Sequence, residues 1–546
     1  MDRRGDPRVL SARRARRHAA EKDGDLTAPR ARYGGVRAIA IVSLVFIAIR
    51  LGSLAFVRVP GYTDAYYYAD VAGRLVDGQG LVADFVWSPL EARGFPALPV
   101  PSHRFWMPLA SLVQAAGMAL FAPLGRFGAA QLAVVLFAAL VPLVTYLAAR
   151  SIGASERWAL LGAILAGLGG LFAPGWVTLD SYGVAAILGG VFFLSFARAA
   201  DNGEVRAGAV AGMAVGVLFL ARAEAALFGL ALLALLLDPR TRRAGVVGAA
   251  AAMAVGLGWL ARDAALAPAA DVFGRSVLLV RYEDLFALRD PTLGEFLAAW
   301  PTVLAAKANA IGTNALTFLF AFALLPVVGL VAGARALWSR ADVRAYVVLA
   351  VVVFLAQSLV WTLHSTRGSY VHSLAAMLPF GFALAAAGGE TLARGRALGP
   401  RVLAVGVSVT AVVLISAAAL LQFDGTYGAN ERARRAALGA IPQGPFLAID
   451  AAAWRWIADR QVVVTPADGL DAAACAAARY GARSIVLEAA HFSAYDDLYR
   501  GNGRPSWLAS PIDRGGIRVY PVSGAGEPPC AASRAATDTT AGSRRP

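Results

Sequence analysis

Cysteine is nearly missing from the 546 residues, with Cys475 and Cys530 the only two. That is too few for a disulfide-stapled scaffold or a four-cysteine zinc cluster, and spacing alone leaves open whether the two are bonded. Lysine is as rare: Lys22 and Lys307 stand alone, so the positive charge is arginine's. Charged residues of either sign make up 16% while 58% are hydrophobic, which excludes an ordinary soluble enzyme. No Walker loop occurs and no G-x-G-x-x-G follows a strand-like run, so nothing points to direct use of a nucleotide. No H-x-x-x-H helix is present either. An internal or inverted repeat is also missing, which weighs against a transporter.

What the chain has instead is apolar blocks, several of them about 18 to 23 residues long, the length that crosses roughly 30 Å of hydrocarbon. They lie near 37–57, 127–149, 157–173, 182–198, 207–221, 224–237, 244–262, 313–334, 345–363, 370–389 and 402–421. They predict a polytopic α-helical membrane protein with about eleven transmembrane helices, whose first partner is the lipid bilayer. The net charge of +15 then orients the chain in the membrane, and no nucleic-acid partner is expected.

Residues 1–36 read as a disordered basic cytoplasmic tail, and the span that follows is too long for a signal-peptide core and lacks an A-x-A-like cleavage site. Arginine clusters at Arg150 and Arg157, Arg198 and Arg206, Arg240 to Arg243, Arg335 to Arg344, and Arg394 to Arg401 are assigned to the cytoplasm. Counting spans between them puts the loop 58–126, the turn at Asp180, the loop 263–312 and the stretch His364 to Ser369 outside together. The apolar block 107–122 would break this parity and is read as a juxtamembrane or re-entrant helix.

From residue 422 the composition changes. "GPFLAID", "RQVVVTP", "RSIVLEA" and "GIRVYPV" are strand-like, and "DAAACAAARYG" is helical up to Gly481, which predicts a small C-terminal α/β domain outside the membrane over 422–522. Residues 523–546 read as a flexible tail. The membrane domain is 37–421.

Chemistry concentrates in the external segments. Asp64 follows the first span in "GYTDAYYYADVAGRLVDGQG". It reads either as an interfacial helix cap beside a tyrosine belt, Tyr67 included, or as a general base for a hydroxyl nucleophile. Asp180 in "TLDSYG" reads as another cap or as a second acid brought to the same side. His103 and Arg104, Arg222 with Glu224, and His364, Arg367 and His372 also return to that face. They are either snorkelling and ion-paired groups or the cationic partners of a phosphate-bearing substrate, for which arginine offers a planar fork. Asp64, Asp180 or His103 could share a divalent ion, although a buried ion pair explains the same residues more simply.

"TDAYYYADVAGRLVDGQGL", the looser "SHRFWMPLASL" and "AARYGARSIVLE" make nearly all of 37–520 resemble the GT-C superfamily of membrane glycosyltransferases, in the branch of protein mannosyltransferases and aminoarabinose transferases. The resemblance implies a GT-C-like catalytic domain with juxtamembrane helices in the first external loop, in a bacterial inner membrane, with the N-terminus cytoplasmic. It implies transfer of a hexosyl or pentosyl unit from a polyprenyl-phosphate sugar donor to a glycan, lipid or protein hydroxyl. Asp64 takes the role of base, Asp180 supports it, and Tyr67, His103, Arg104, Arg222, Glu224, His364, Arg367 and His372 bind substrate. Several relatives carry paired acids in the first loop. Here Ala65 follows Asp64, and Asp70, six residues on, is expected to face water. A flippase of lipid-linked glycans and a noncatalytic assembly protein remain as alternatives.

Overall fold

In the computed structural model, which describes residues 28–92, 96–266 and 272–523, six helices are long and apolar enough to cross a membrane, and a bent pair raises the number to seven. The large apolar side chains that these helices leave uncovered, among them Leu257, Leu304, Leu316, Leu403 and Leu414, belong in hydrocarbon, since water would not tolerate so continuous a surface. The chain is a membrane protein.

Several apolar blocks are shorter or broken compared with the expected eleven spans. Glu156–Leu168 has 13 residues and Val205–Ala221 has 17. Leu109–Leu120 has 12 residues, about 18 Å, too short to cross. The block 313–334 is not one helix. Trp300–Ala321 ends where Ala323 and Leu324 take positive φ, and Leu325–Ala336 starts anew with Pro326 in its first turn. A helix therefore starts at Trp300, within the stretch 263–312 read as the second external loop. The block 370–389 bends by 70° between Thr362–Ala375 and Leu378–Ala393. Helix Ala28–Ser53 begins nine residues inside the stretch read as tail, and residues 1–27, 524–546 and with them Cys530 lie outside the described residues.

Short helices are accommodated by close packing. Gly208 and Gly212 on Val205–Ala221 face Ala244 and Gly248 on Arg242–Leu266, where a Cβ at Gly212 would overlap the Gly248 backbone. Such small residues let membrane helices associate by backbone contact.

Among the described residues there are eight strands: β1 Val82–Ala83, β2 Phe85–Val86, β3 Val100–Pro101, β4 Phe446–Ala448, β5 Val462–Val464, β6 Ser484–Leu487, β7 Ile512–Arg514 and β8 Ile517–Pro521. Four match the strand-like runs of the tail, and helix Leu470–Tyr480 ends on Gly481 in the left-handed region at φ 61°. Six strands form one sheet in the order β2-β5-β4-β6-β8-β7, with β2, β5, β4 and β6 parallel. The C-terminal domain is thus not confined to 422–522: its edge strand β2 comes from the first loop. Nor does a linker precede it, because helical turns run on from Leu398 to Ala440. One apolar core joins Tyr66, Phe85 and Trp87 of the first loop, Leu285 and Phe286 of the second, and the strands β4, β5 and β6.

Candidate active site

The helix Thr63–Val76 carries Asp64 in its first turn, ten residues after the end of helix Ala28–Ser53. Tyr62 is its N-cap and no side chain caps it, so neither Thr63 nor Asp64 acts as one. The residues Pro174–Ser181 form the turn before helix Tyr182–Asn202, and Asp180 sits there, not at the Ser181 N-cap. A wide π-type turn at Ser365–Ser369, with Gly368 at φ 115°, changes the register ahead of His372. These three segments bring Asp64, Asp180 and His372 together, their ligand atoms all within 4.8 Å of one another.

The two aspartates differ sharply. Asp180 is buried and accepts from the Tyr62 hydroxyl at 2.6 Å, from the Ser181 amide at 2.5 Å and from the Ser181 hydroxyl at 3.2 Å, and its Oδ2 lies 2.8 Å from His372 Nε2. Burial alone would raise its pKa. The His372 cation and these hydrogen bonds outweigh it and hold the carboxyl at about 2. Asp64 is half-buried, and no side chain among the described residues hydrogen-bonds its carboxylate. Burial pushes it up to about 6, with the Asp180 carboxylate adding to the rise and His372 and Arg222 opposing it. Two carboxyl groups driven apart in this way are suited to different tasks, one anchored and ionised, the other able to exchange a proton near neutral pH.

His372 is fixed from three sides. Its Nδ1 lies 2.9 Å from the Gly368 carbonyl, its ring stacks on Tyr182 at 4.4 Å, and Tyr62 meets it edge-on. With acceptor oxygens at both nitrogens, the ring is satisfied as an imidazolium. As the neutral tautomer with Nδ1–H on Gly368, it would present the Nε2 lone pair to the gap between the aspartates. Two carboxylates and an imidazole oriented by a carbonyl fit a divalent cation.

Arg222 joins the same cluster. Its Nε donates to Glu224 at 3.0 Å and its Nη2 to Ser369 at 3.2 Å, while the Ser373 hydroxyl donates to Glu224 at 2.7 Å. Arg367 is exposed, with its guanidinium 4.8 Å from the Tyr282 ring centre. His364 lies between Phe105 and Tyr282, with Nε2 buried and unpartnered among the described residues.

Other expected site residues hold up the site from behind. The Tyr67 hydroxyl donates to Glu91 at 2.9 Å and accepts from the His103 amide at 2.6 Å, so it is not available to substrate. His103 is buried, with Nδ1 3.1 Å from the Trp106 carbonyl and its ring stacked on Tyr68; burial lowers its pKa to about 3, with the nearby Arg262 cation lowering it and the Trp106 carbonyl opposing the fall. It lies outside the carboxylate cluster. Arg104 donates to the Glu91 carbonyl and to Asp263. Asp70 does not face water: it is buried against Arg74 at 3.1 Å and Arg455 at 3.6 Å.

Tyr68 was missed. It lies four residues after Asp64, on the same helix face, and the spacing could have shown this. Its hydroxyl is fully buried without a hydrogen-bond partner among the described residues, and the charges that act on it are Asp180, Arg222, Asp64 and Glu224. Such a group is held for something that arrives. Tyr68→Phe is expected to lower kcat/KM about tenfold or more with the thermal midpoint unchanged, because the hydroxyl loses no partner within the protein. Initial rates against substrate concentration check this, and wild-type rates would refute it.

No protein-family model matches the chain, and comparison with curated proteins finds no match. Solved structures do match. ArnT from Cupriavidus metallidurans bound to undecaprenyl phosphate aligns at TM-score 0.52 and 14% identity, over 90% of this chain and 98% of that one. The Archaeoglobus fulgidus oligosaccharyltransferase in the apo form aligns at 0.52 and 13%, over 84% and 70%. Its complex with Zn and sulfate aligns at 0.51 and 14%, over 88% and 72%. At the level of fold, then, the resemblance read from the first loop holds: the chain folds like ArnT and the archaeal oligosaccharyltransferase.

Proposed function

We propose that this protein is a membrane glycosyltransferase that moves a sugar from a polyprenyl-phosphate donor to an acceptor hydroxyl on the external face. The observation that carries the reading is the state of Asp64: a half-buried carboxylate with no hydrogen-bonding side chain among the described residues, raised toward neutrality, beside an anchored Asp180–His372 pair. The relatives in fold support the donor class, since ArnT is bound to undecaprenyl phosphate.

In the proposed reaction the acceptor oxygen attacks the anomeric carbon and the bond from that carbon to the phosphate oxygen breaks. The electron pair leaves with the polyprenyl phosphate, and the acceptor proton passes to Asp64. Inversion at the sugar centre follows from a single displacement. Arg222 and Arg367 would offer guanidinium groups to the charge that grows on the departing phosphate, and Tyr68 would donate to the same oxygens. Phosphate is a weak base, so no general acid is required. Fixing both substrates at the membrane surface supplies much of the acceleration.

Asp64, Asp180 and His372 Nε2 would hold a divalent cation if the site uses one, and such an ion would supply Lewis-acid support for the leaving phosphate. A carboxylate bound through one oxygen keeps the other for a proton.

The test is turnover by the purified protein of polyprenyl-phosphate sugars carrying a radiolabel, with mass analysis of the membrane, glycan and protein fractions that take up label. Label in one fraction, with release of polyprenyl phosphate, is the expected result. Protection of donor without transfer, or movement of intact donor between leaflets, would replace the reading by a flippase.

A further inference from the structure

The helix Thr63–Val76 sends polar groups in two directions. Asp64 and Tyr68 are one turn apart on the site face. Tyr66 and Asp70 are also one turn apart but rotated about 200° from them, and they point at the C-terminal domain. The Tyr66 hydroxyl donates to Glu431, a buried carboxylate on helix Ala429–Ala437, which Arg435 grips at 2.6 Å. Asp70 meets Arg455 of the α/β domain, and Arg74 goes on to Asp84 at 3.0 Å, which accepts from Gln461 at 2.8 Å.

What holds helix Ala429–Ala437 is equally specific. The buried Arg434 reaches Asp450 at 3.0 Å and Glu488 at 3.1 Å, and the Trp454 indole also donates to Glu488 at 2.7 Å. Asp450 and Glu488 follow the carboxyl ends of β4 and β6. The chain runs from β4 to β5 on one side and then crosses to β6 on the other, so the strand order reverses there. In open α/β sheets this crevice is where ligands bind. Here the chain's own guanidinium fills it.

We infer that the α/β domain is a positioning device for the Asp64 helix, its switch-point crevice occupied by Arg434, with the Tyr66–Glu431 pair as the contact that sets where the base stands. This rests on the proposed function for its kinetic consequence and on geometry alone for its mechanical one. Glu431 touches no reacting atom; it acts through Tyr66 on the turn that carries Asp64. A displacement of that turn by about 1 Å costs on the order of 100-fold in rate.

The experiment uses the full-length protein in nanodiscs. Glu431→Ala and Tyr66→Phe are each expected to lower kcat at least tenfold while KM for the donor changes less than threefold. The double variant should be no slower than the slower single one, because both remove the same link. Glu431→Gln keeps an oxygen to accept the Tyr66 proton and should restore most of the rate, which a merely space-filling role would not require. In parallel, hydrogen exchange across 63–76 should rise in Glu431→Ala and Tyr66→Phe and stay near wild type in Glu431→Gln. Rates within twofold of wild type in both single variants, or losses that multiply in the double, would overturn the inference. If Glu431→Ala does not fold, Tyr66→Phe, which removes one hydroxyl, decides. If wild type transfers no sugar from any polyprenyl-phosphate donor, the functional reading falls and the exchange data decide the positioning role.

Discussion

Replacing Asp64 by asparagine is expected to reduce transfer by about 1,000-fold, the usual contribution of a positioned general base, while expression, membrane insertion and donor binding persist. The variant keeps the shape and removes the proton acceptor. The pH dependence follows from the same group. Asp64 has its carboxyl raised to about 6, so transfer should grow as pH climbs through about 6, level off above, and disappear below as the base is protonated. Asparagine should abolish that limb with the rate. The sign for stability is opposite. An acid whose folded pKa lies above its ordinary value costs stability once ionised, so at pH 8 the asparagine variant should unfold at a higher temperature than wild type. A noncatalytic scaffold would show the gain in stability alone, with no transfer to lose.

Asp180→Ala is expected to cost both activity and fold. Tyr62, Ser181 and His372 share this one carboxylate, and its removal leaves a buried imidazolium unpaired, at a cost of about 3 kcal/mol or more. A thermal melt should show the loss at neutral pH. Because the carboxyl is held at about 2, the stability it contributes is complete above the ordinary carboxylate range and is lost as pH falls through about 2. If a divalent ion occupies the triad, metal analysis should find near one equivalent in wild type and none in Asp180→Ala or His372→Ala, and chelation should stop transfer until metal is restored. Full activity in chelator would leave the triad as an ion pair with a base beside it.

Much of this site was visible in the sequence, and the remainder was hidden for identifiable reasons. Asp64 and Asp180 stand out as acids at the edges of apolar blocks, and strand-like runs such as "RSIVLEA" are marked by β-branched residues between turn formers. Which of His103, His364 and His372 meets the acids is not so marked. The wide turn at Ser365–Ser369 shifts the helical register in a way no periodicity reveals, and it brings in His372 rather than its neighbour. Hydropathy also ran separate helices together, since it responds to apolar content and not to where a helix stops. The break at Ala323 and Leu324 has no glycine to announce it, though Pro326 in the next first turn was a usable sign. Tyr67 and Tyr68 are neighbours in the motif, and only the 100° per residue of the helix separates their rings, turning Tyr67 to Glu91 and Tyr68 toward the charges around Asp64.

The edge strand β2 has a bearing on biosynthesis. Asp84 and Gln461, bonded beside the β2–β5 pairing, are 377 residues apart, so a stretch made early must wait for one made very late. During that wait its backbone amides have no sheet to join, and contacts so distant in the chain form slowly. A ribosome-bound or truncated polypeptide that ends before Val462 therefore has its acidic centre in place but lacks the outer layer that completes it, and quality-control proteases would meet an open edge there.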